Sequence, residues 1–256
     1  MKRRSENITH KLPAIIALAV IIAVWQLLCI SGLVPSYMLP SPVDVVRAFI
    51  GDFPNLMLHA ATTLQEAAWG LVTGIILAML MATVMDRFPV LYRAFYPLMI
   101  ISQTIPTIAI APLLVLWMGF GMAPKITLVV ITTFFPITVG LLDGYRSVDG
   151  DAVILMRAMG ATRAQIFYHV KFPSALPYFF SGLKISASYA VVGAVISEWL
   201  GGFDGLGVYM TRVKKAYAFD KMFAVIFLIV IISLLLMALV NALRDICSPW
   251  ERLEKK

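Results

Sequence analysis

The chain has 256 residues, 61% of them hydrophobic and 14% charged, with a formal net charge of +7. A soluble domain carries about 25% charged residues, so the composition places the chain in a membrane and argues against a soluble enzyme or a nucleic-acid binder. Two cysteines, three scattered histidines and no G-x-x-x-x-G-K-[ST] loop leave no disulfide framework, metal site, cofactor, catalytic group or ATP site to expect.

The basic start, residues 1–11, reads as a cytoplasmic N-terminus. Leu12–Ile30 follows, an apolar run long enough to cross a hydrocarbon core of about 30 Å. It ends without a small-residue cleavage site, so it is a first span and not a signal peptide. LPSPVDVVRAFIGDF, within 31–63, is too short and too polar to span and reads as an amphipathic stretch along the outer surface. Further spanning runs lie near Ala67–Val84, Tyr96–Met118, Ile126–Leu142, Tyr178–Leu200 and Met222–Leu243. Lipid admits only helices or closed barrels. Runs this long without strict alternation are helices, so the expected fold is all-α, with six transmembrane helices within 12–243 and a cytoplasmic tail over 244–256.

Lys and Arg set the orientation. With the N-terminus inside, the inner segments hold Lys2, Arg3, Arg4, Lys11, Arg87, Arg93, Arg146, Arg157, Arg163, Lys171, Arg244, Arg252, Lys255 and Lys256. The outer ones hold only Arg47, Lys125, Arg212, Lys214, Lys215 and Lys221. Both termini and the loop 144–177 are therefore expected in the cytoplasm.

Pro97, Pro106 and Pro112 interrupt the third run and Pro136 the fourth. Each interior proline removes a helix hydrogen bond, and broken helices persist in membranes where protein or a cavity covers the freed backbone. SQTIPTIAIAP carries Gln103, Thr104 and Thr107 and is the first candidate for lining a pathway; the alternative is a set of kinks and small-residue contacts. Ser186 and Tyr189 add hydrogen-bonding and stacking groups suited to a neutral heteroaromatic substrate. Glu198, at the outer end of the fifth run, is either functional or a solvated boundary carboxylate. Asp143 and Arg146, three residues apart, are expected to pair and hold the following loop. No carboxylate pair is evident in the spans, which disfavours an ion-coupled secondary transporter.

Between the fourth and fifth runs, MRAMGATRAQIFYHVKFPSALP (Met156–Pro177) has more internal order than a connector needs. Gly160 breaks the chain, and Ala161-Thr162-Arg163-Ala164-Gln165 contains the capping pattern T-x-x-Q that starts a new helix. Ile166, Phe167 and Val170 would share one face of it and Arg163 another, with Pro173 and Pro177 ending it and starting the next span. The expectation is a short docking helix, the alternative an interfacial helix on lipid headgroups.

From Gly160, nine residues lead to Val170-Lys171-Phe172-Pro173, and this V-x-F-P resembles the signature G-x9-I-x-L-P of permease subunits of bacterial ABC importers. IPTIAIAPLLVLWMGFG, FFPITVGLLDGYRSVD and EWLGG extend the resemblance over most of the chain. The resemblance implies that the loop is a coupling helix seated in a cleft of cytoplasmic ATPase subunits. It also implies a permease homodimer in the lipid of a bacterial inner membrane and an extracytoplasmic substrate-binding protein. One departure stands out: the E-A-A of the signature is replaced by Ile154-Leu155-Met156, so its salt bridge is absent or moved, with Asp149 or Asp151 as substitutes. The literal Glu66-Ala67-Ala68 is out of register and reads as coincidence. FPSALPYFFSGLKISASYAVVGAVISEWLGG and LDGYRSVD are similar to the nitrate/sulfonate/taurine branch, most of all to permeases for pyrimidine precursors of thiamine. Sulfonate, taurine, nitrate and riboflavin importers are the alternatives.

Overall fold

The computed structural model describes residues 2–32, 34–35 and 38–249; the part of the expected C-terminal tail beyond 249, with Arg252, Lys255 and Lys256, lies outside the described residues. All regular structure among them is helical. The order is α1 (Lys2–Ile30), α2 (Pro42–Gly51), α3 (Phe53–Arg87), α4 (Pro89–Gln103), α5 (Thr107–Met118) and α6 (Met122–Arg146). Then come α7 (Gly150–Ala158), α8 (Arg163–Ile166), a π-helical turn (Phe167–Lys171), α9 (Phe172–Gly201), α10 (Leu206–Lys215) and α11 (Phe219–Cys247).

Five helical stretches are long and apolar enough to cross a membrane, and a sixth span results if α4 and α5 count as one. These two meet at a bend of 101°. Pro106 has no N–H to continue the helix and pushes Ile105 out of the helical region, so the chain breaks there. Pro97, Pro112 and Pro136 instead lie inside continuous helices. Of the two prolines expected to stop the loop helix and start the next span, Pro173 stands at the start of α9 and Pro177 lies inside it, and no break separates the loop helix from α9. The turn widens to π geometry, with the Phe172 N–H bonded to the Phe167 carbonyl, and Pro173 falls in the first turn of α9, where a missing N–H costs nothing.

The chain forms two compact units. The larger, His59–Val208 with the later part of α11, is organised on the α6–α9 pair. Gly182 makes that pairing close: a Cβ there would run into the Pro136 carbonyl of α6. Small residues at such crossings let backbones approach where lipid supplies no hydrophobic drive. Ile137, Leu141, Ala175, Leu183 and Ala187 fill the contact.

The smaller unit joins α1, α2 and the start of α3 to Tyr209–Leu228. Trp25 donates its indole N–H to the Pro40 carbonyl (3.1 Å) and stacks on Phe227. Ser41 and Asp44 form a capping box at α2, with Pro42 in its first turn. Asp52 accepts hydrogen bonds from the Tyr209 hydroxyl, the Asn55 amide (2.7 Å) and the Lys221 ammonium (3.2 Å). The Tyr209 hydroxyl first, then Asn55 and Lys221, hold the Asp52 carboxyl below its ordinary range, and burial together with that carboxylate pushes the Tyr209 hydroxyl up. A depressed carboxyl contributes stability above its unfolded value of about 4 and loses it as pH falls through the folded value. Amide exchange of α2 and α10, compared between wild type and Asp52→Asn, should therefore differ at pH 6, with the difference shrinking as pH falls below about 4. A difference that persists unchanged at pH 3 would refute this role.

Candidate functional site

Three constellations in the larger unit carry chemistry. The first is the loop of α7, α8 and the π-turn. Asp149 caps α7 by accepting from the Asp151 N–H (2.9 Å). At its other end the Gly160 N–H bonds to the Arg157 carbonyl and the Ala161 N–H to the Met156 carbonyl, both at 2.9 Å. This is a Schellman motif with Gly160 as its left-handed residue, at φ +81°. Two residues on, Thr162 and Gln165 cap α8 reciprocally: the Thr162 N–H bonds to Gln165 Oε1 (2.7 Å) and the Gln165 N–H to Thr162 Oγ1 (3.3 Å). One helix ends and the next begins within four residues.

The face expected to be outward is turned inward. Ile166 is buried, and Phe167 lies against the Tyr145 ring at 5.3 Å. Val170 is half-buried and Arg163 exposed. The end of α6 supplies an aromatic partner that the loop sequence by itself does not reveal. The exposed apolar side chains are Ile154, Leu155, Met159 (75% exposed) and Tyr168 (68%). Ile154 and Leu155 occupy positions of the missing E-A-A, so this chain carries apolar surface there. Among the described residues neither Asp149 nor Asp151 forms a salt bridge; the loop is tied down by Lys171, whose ammonium contacts both oxygens of Asp86 on α3 at 2.8 Å. Asp143 and Arg146 do not pair either. The Arg146 guanidinium sits 3.6 Å from the centroid of the Tyr92 ring.

The second constellation lies at the α4–α5 break. A cavity of about 230 Å³ opens there, lined by Ser102, Gln103, Thr107, Thr132 and Tyr189 among isoleucines, Val192 and Gly193. No charged side chain faces it. The Ser102 and Thr132 hydroxyls are taken by carbonyls of their own helices. Gln103, Thr107 and Tyr189 (51% exposed) keep donors and acceptors free of partners among the described residues. Thr104 is outside the lining and donates to the Ile101 carbonyl (2.7 Å). Ser186 is buried between helices and donates to the Thr133 carbonyl of α6 (2.8 Å).

The third was not foreseen. Glu198 is 1% exposed, not a solvated boundary group. Its Oε1 accepts from the Thr63 hydroxyl (2.7 Å) and its Oε2 from the Gly207 N–H (2.6 Å). Thr63 in turn accepts from the Leu206 N–H (2.9 Å), and His59 Nδ1 from the Gly205 N–H (3.1 Å). Beside them Lys125, expected in an outer loop, is buried with its ammonium 2.5 Å from Glu66 Oε1 and near the Asp204 carbonyl (3.5 Å). Glu66 Oε2 has no hydrogen-bond partner among the described residues. The spans thus do contain neighbouring carboxylates, Glu66, paired with Lys125, and Glu198, bonded to Thr63 and the Gly207 N–H. The chemistry is that of a clamp: α3 and α9 hold the turn 204–207 through its backbone N–H groups, and Lys125 of α6 donates to its Asp204 carbonyl.

Comparisons with known proteins give a consistent picture. The family model described as binding-protein-dependent transport system inner membrane component matches residues 70–253. A formylaminopyrimidine transport permease protein of Halalkalibacterium halodurans is 39% identical over 84% of this chain and 87% of its own length. A probable ABC transporter permease protein of Haemophilus influenzae is 36% identical, covering 88% and 92%. Among solved structures, an inward-facing MetNI methionine ABC transporter aligns with a TM-score of 0.61 at 21% identity, over 76% of this chain and 95% of that one.

Proposed function

Because this chain belongs to the binding-protein-dependent transport system inner membrane components, we propose that it forms the membrane pathway for a small neutral nitrogen heterocycle of the aminopyrimidine type. It is a multi-pass permease subunit of an ABC importer. The cargo reading rests on the cavity at the α4–α5 break. A cavity of about 230 Å³ suits a single small ring, and its free groups are one amide, one aliphatic hydroxyl and one phenol. An amide pairs with ring nitrogens and exocyclic amines, and a tyrosine offers a stacking face. A thiamine pyrimidine precursor fits this chemistry, and the relative that is 39% identical carries a formylaminopyrimidine in its name.

The second reading, a sulfonate such as taurine, or nitrate, calls for a cation or for helix N-termini aimed at the anion. The absence of any Lys or Arg from this lining favours the neutral substrate.

The energy source in this proposal is a pair of cytoplasmic ATPase subunits. Ile154, Leu155, Met159 and Tyr168 supply the exposed apolar contact, and Lys171–Asp86 carries the push from the loop into α3. Both termini lie in the cytoplasm, a second copy of the permease completes the pathway, and a substrate-binding protein delivers cargo from outside in the bacterial inner membrane.

Cells with and without the gene, given labelled hydroxymethylpyrimidine or formylaminopyrimidine and separately taurine, test the substrate. The expected result is loss of pyrimidine uptake alone, with Gln103→Ala reducing it about tenfold at unchanged membrane abundance, the effect of one lost hydrogen bond to the cargo. Loss of taurine uptake instead would overturn the pyrimidine reading while keeping the importer.

A further inference from the structure

A second cavity, of about 250 Å³, lies where α3 ends at Arg87, α4 begins at Pro89 and α6 ends at Arg146. Asp86, Pro89, Tyr92, Arg93, Leu142 and Arg146 line it. Asp86 is neutralised by Lys171, which contacts both of its oxygens at 2.8 Å. Arg93 and Arg146 take part in no salt bridge among the described residues. The pocket therefore presents two guanidinium groups outside any ion pair. The Arg146 guanidinium carbon lies over the Tyr92 ring, 3.6 Å from its centroid, and Tyr92 is itself stacked on Tyr96 at 4.8 Å. Stacking occupies the face of a guanidinium and leaves its N–H edge free, the edge that matches a phosphate.

We infer that this pocket binds the phosphate of an anionic phospholipid headgroup. Depth supports this: three membrane helices begin or end at the pocket, which is the level of headgroups, and basic pockets between such helices attract anionic lipid. The apolar surround also supports it. Phe88, whose ring lies 5.7 Å from the Arg87 guanidinium, and Val90 (77% exposed) flank the start of α4, and Leu98 and Ile101 continue exposed along it. An acyl chain attached to the phosphate would cover that surface. An acidic segment of a soluble partner would leave it in water.

Native mass spectrometry of the full-length protein, released from micelles doped with equal phosphatidylglycerol and phosphatidylethanolamine, tests the assignment. Wild type should retain phosphatidylglycerol preferentially. The double variant Arg93→Gln/Arg146→Gln should lose that preference by roughly tenfold. Arg47→Gln, outside the pocket, should not, and Arg93→Lys/Arg146→Lys should keep part of it, which separates lost charge from lost fold. An unchanged preference in the glutamine double variant overturns the proposal. Displacement of the lipid by millimolar inorganic phosphate would assign the pocket to a free anion and overturn the lipid source. Loss of ATPase-subunit co-purification in the double variant, with lipid retention intact, would assign it to a protein partner and overturn the proposal as well.

Discussion

Gly160→Val is expected to leave the protein folded in the membrane yet reduce uptake more than about tenfold, whereas Gly160→Asn should stay near wild type. The difference is conformational. Gly160 holds φ +81°, and a Cβ built there meets nothing within 4 Å. A valine thus displaces no neighbour, but it must adopt a left-handed backbone that costs an L residue about 1–2 kcal/mol, and more when β-branched. At about 2 kcal/mol the Schellman geometry would be depopulated roughly thirtyfold. The Gly160 and Ala161 N–H bonds that end α7 would then give way, and Thr162 would no longer be delivered to cap α8. Asparagine tolerates the left-handed region and preserves both. Uptake and ATP hydrolysis per inserted molecule, measured side by side, read the effect. Equal activity of the valine and asparagine variants would show that this turn does not transmit anything.

Glu66→Ala should be the most destabilising single substitution among the buried polar groups, by about 3–5 kcal/mol, because it strands the Lys125 ammonium in a site that is 6% exposed. In detergent this corresponds to a fall in Tm of about 10 °C or more. Removing both charges, as Glu66→Leu/Lys125→Met, should recover most of the loss, since a buried pair is often no more stable than an apolar replacement of similar volume. Lys125→Met keeps roughly the volume of the lysine stem, so the packing of α3 against α6 survives in that variant. A double variant as unstable as Glu66→Ala would mean that the pair positions the turn 204–207 through more than charge cancellation, with the Lys125 contact to the Asp204 carbonyl as the candidate.

Features set by a few neighbouring residues were legible in the chain itself. Transfer of long apolar runs into lipid forces helices, so the all-α membrane fold follows from composition and run length. The Gly160 turn and the Thr162–Gln165 cap close within five residues, and their bonds form as the motif implies. The break at Pro106 follows from a missing N–H.

What depends on partners far along the chain was not legible. Hydropathy scores transfer into lipid and is blind to transfer into protein, so Lys125 reads as an outer-loop cation although Glu66, from another helix, receives it inside. Thr63 and Glu198 are 135 residues apart and share a 2.7 Å hydrogen bond. One signal was present: Glu66 and Lys125 each stand just before an apolar run and Glu198 just before the end of another, and alternating spans bring those three ends to one level. The loop misreads in the same way. Its own pattern defines an apolar face on Ile166 and Phe167, but Tyr145 at the end of α6 claims that face, and the exposed surface passes to Ile154, Leu155, Met159 and Tyr168. Sequence determined the elements because their hydrogen bonds are local; tertiary structure decided which charges are inside and which apolar faces remain open, because burial is a property of neighbours.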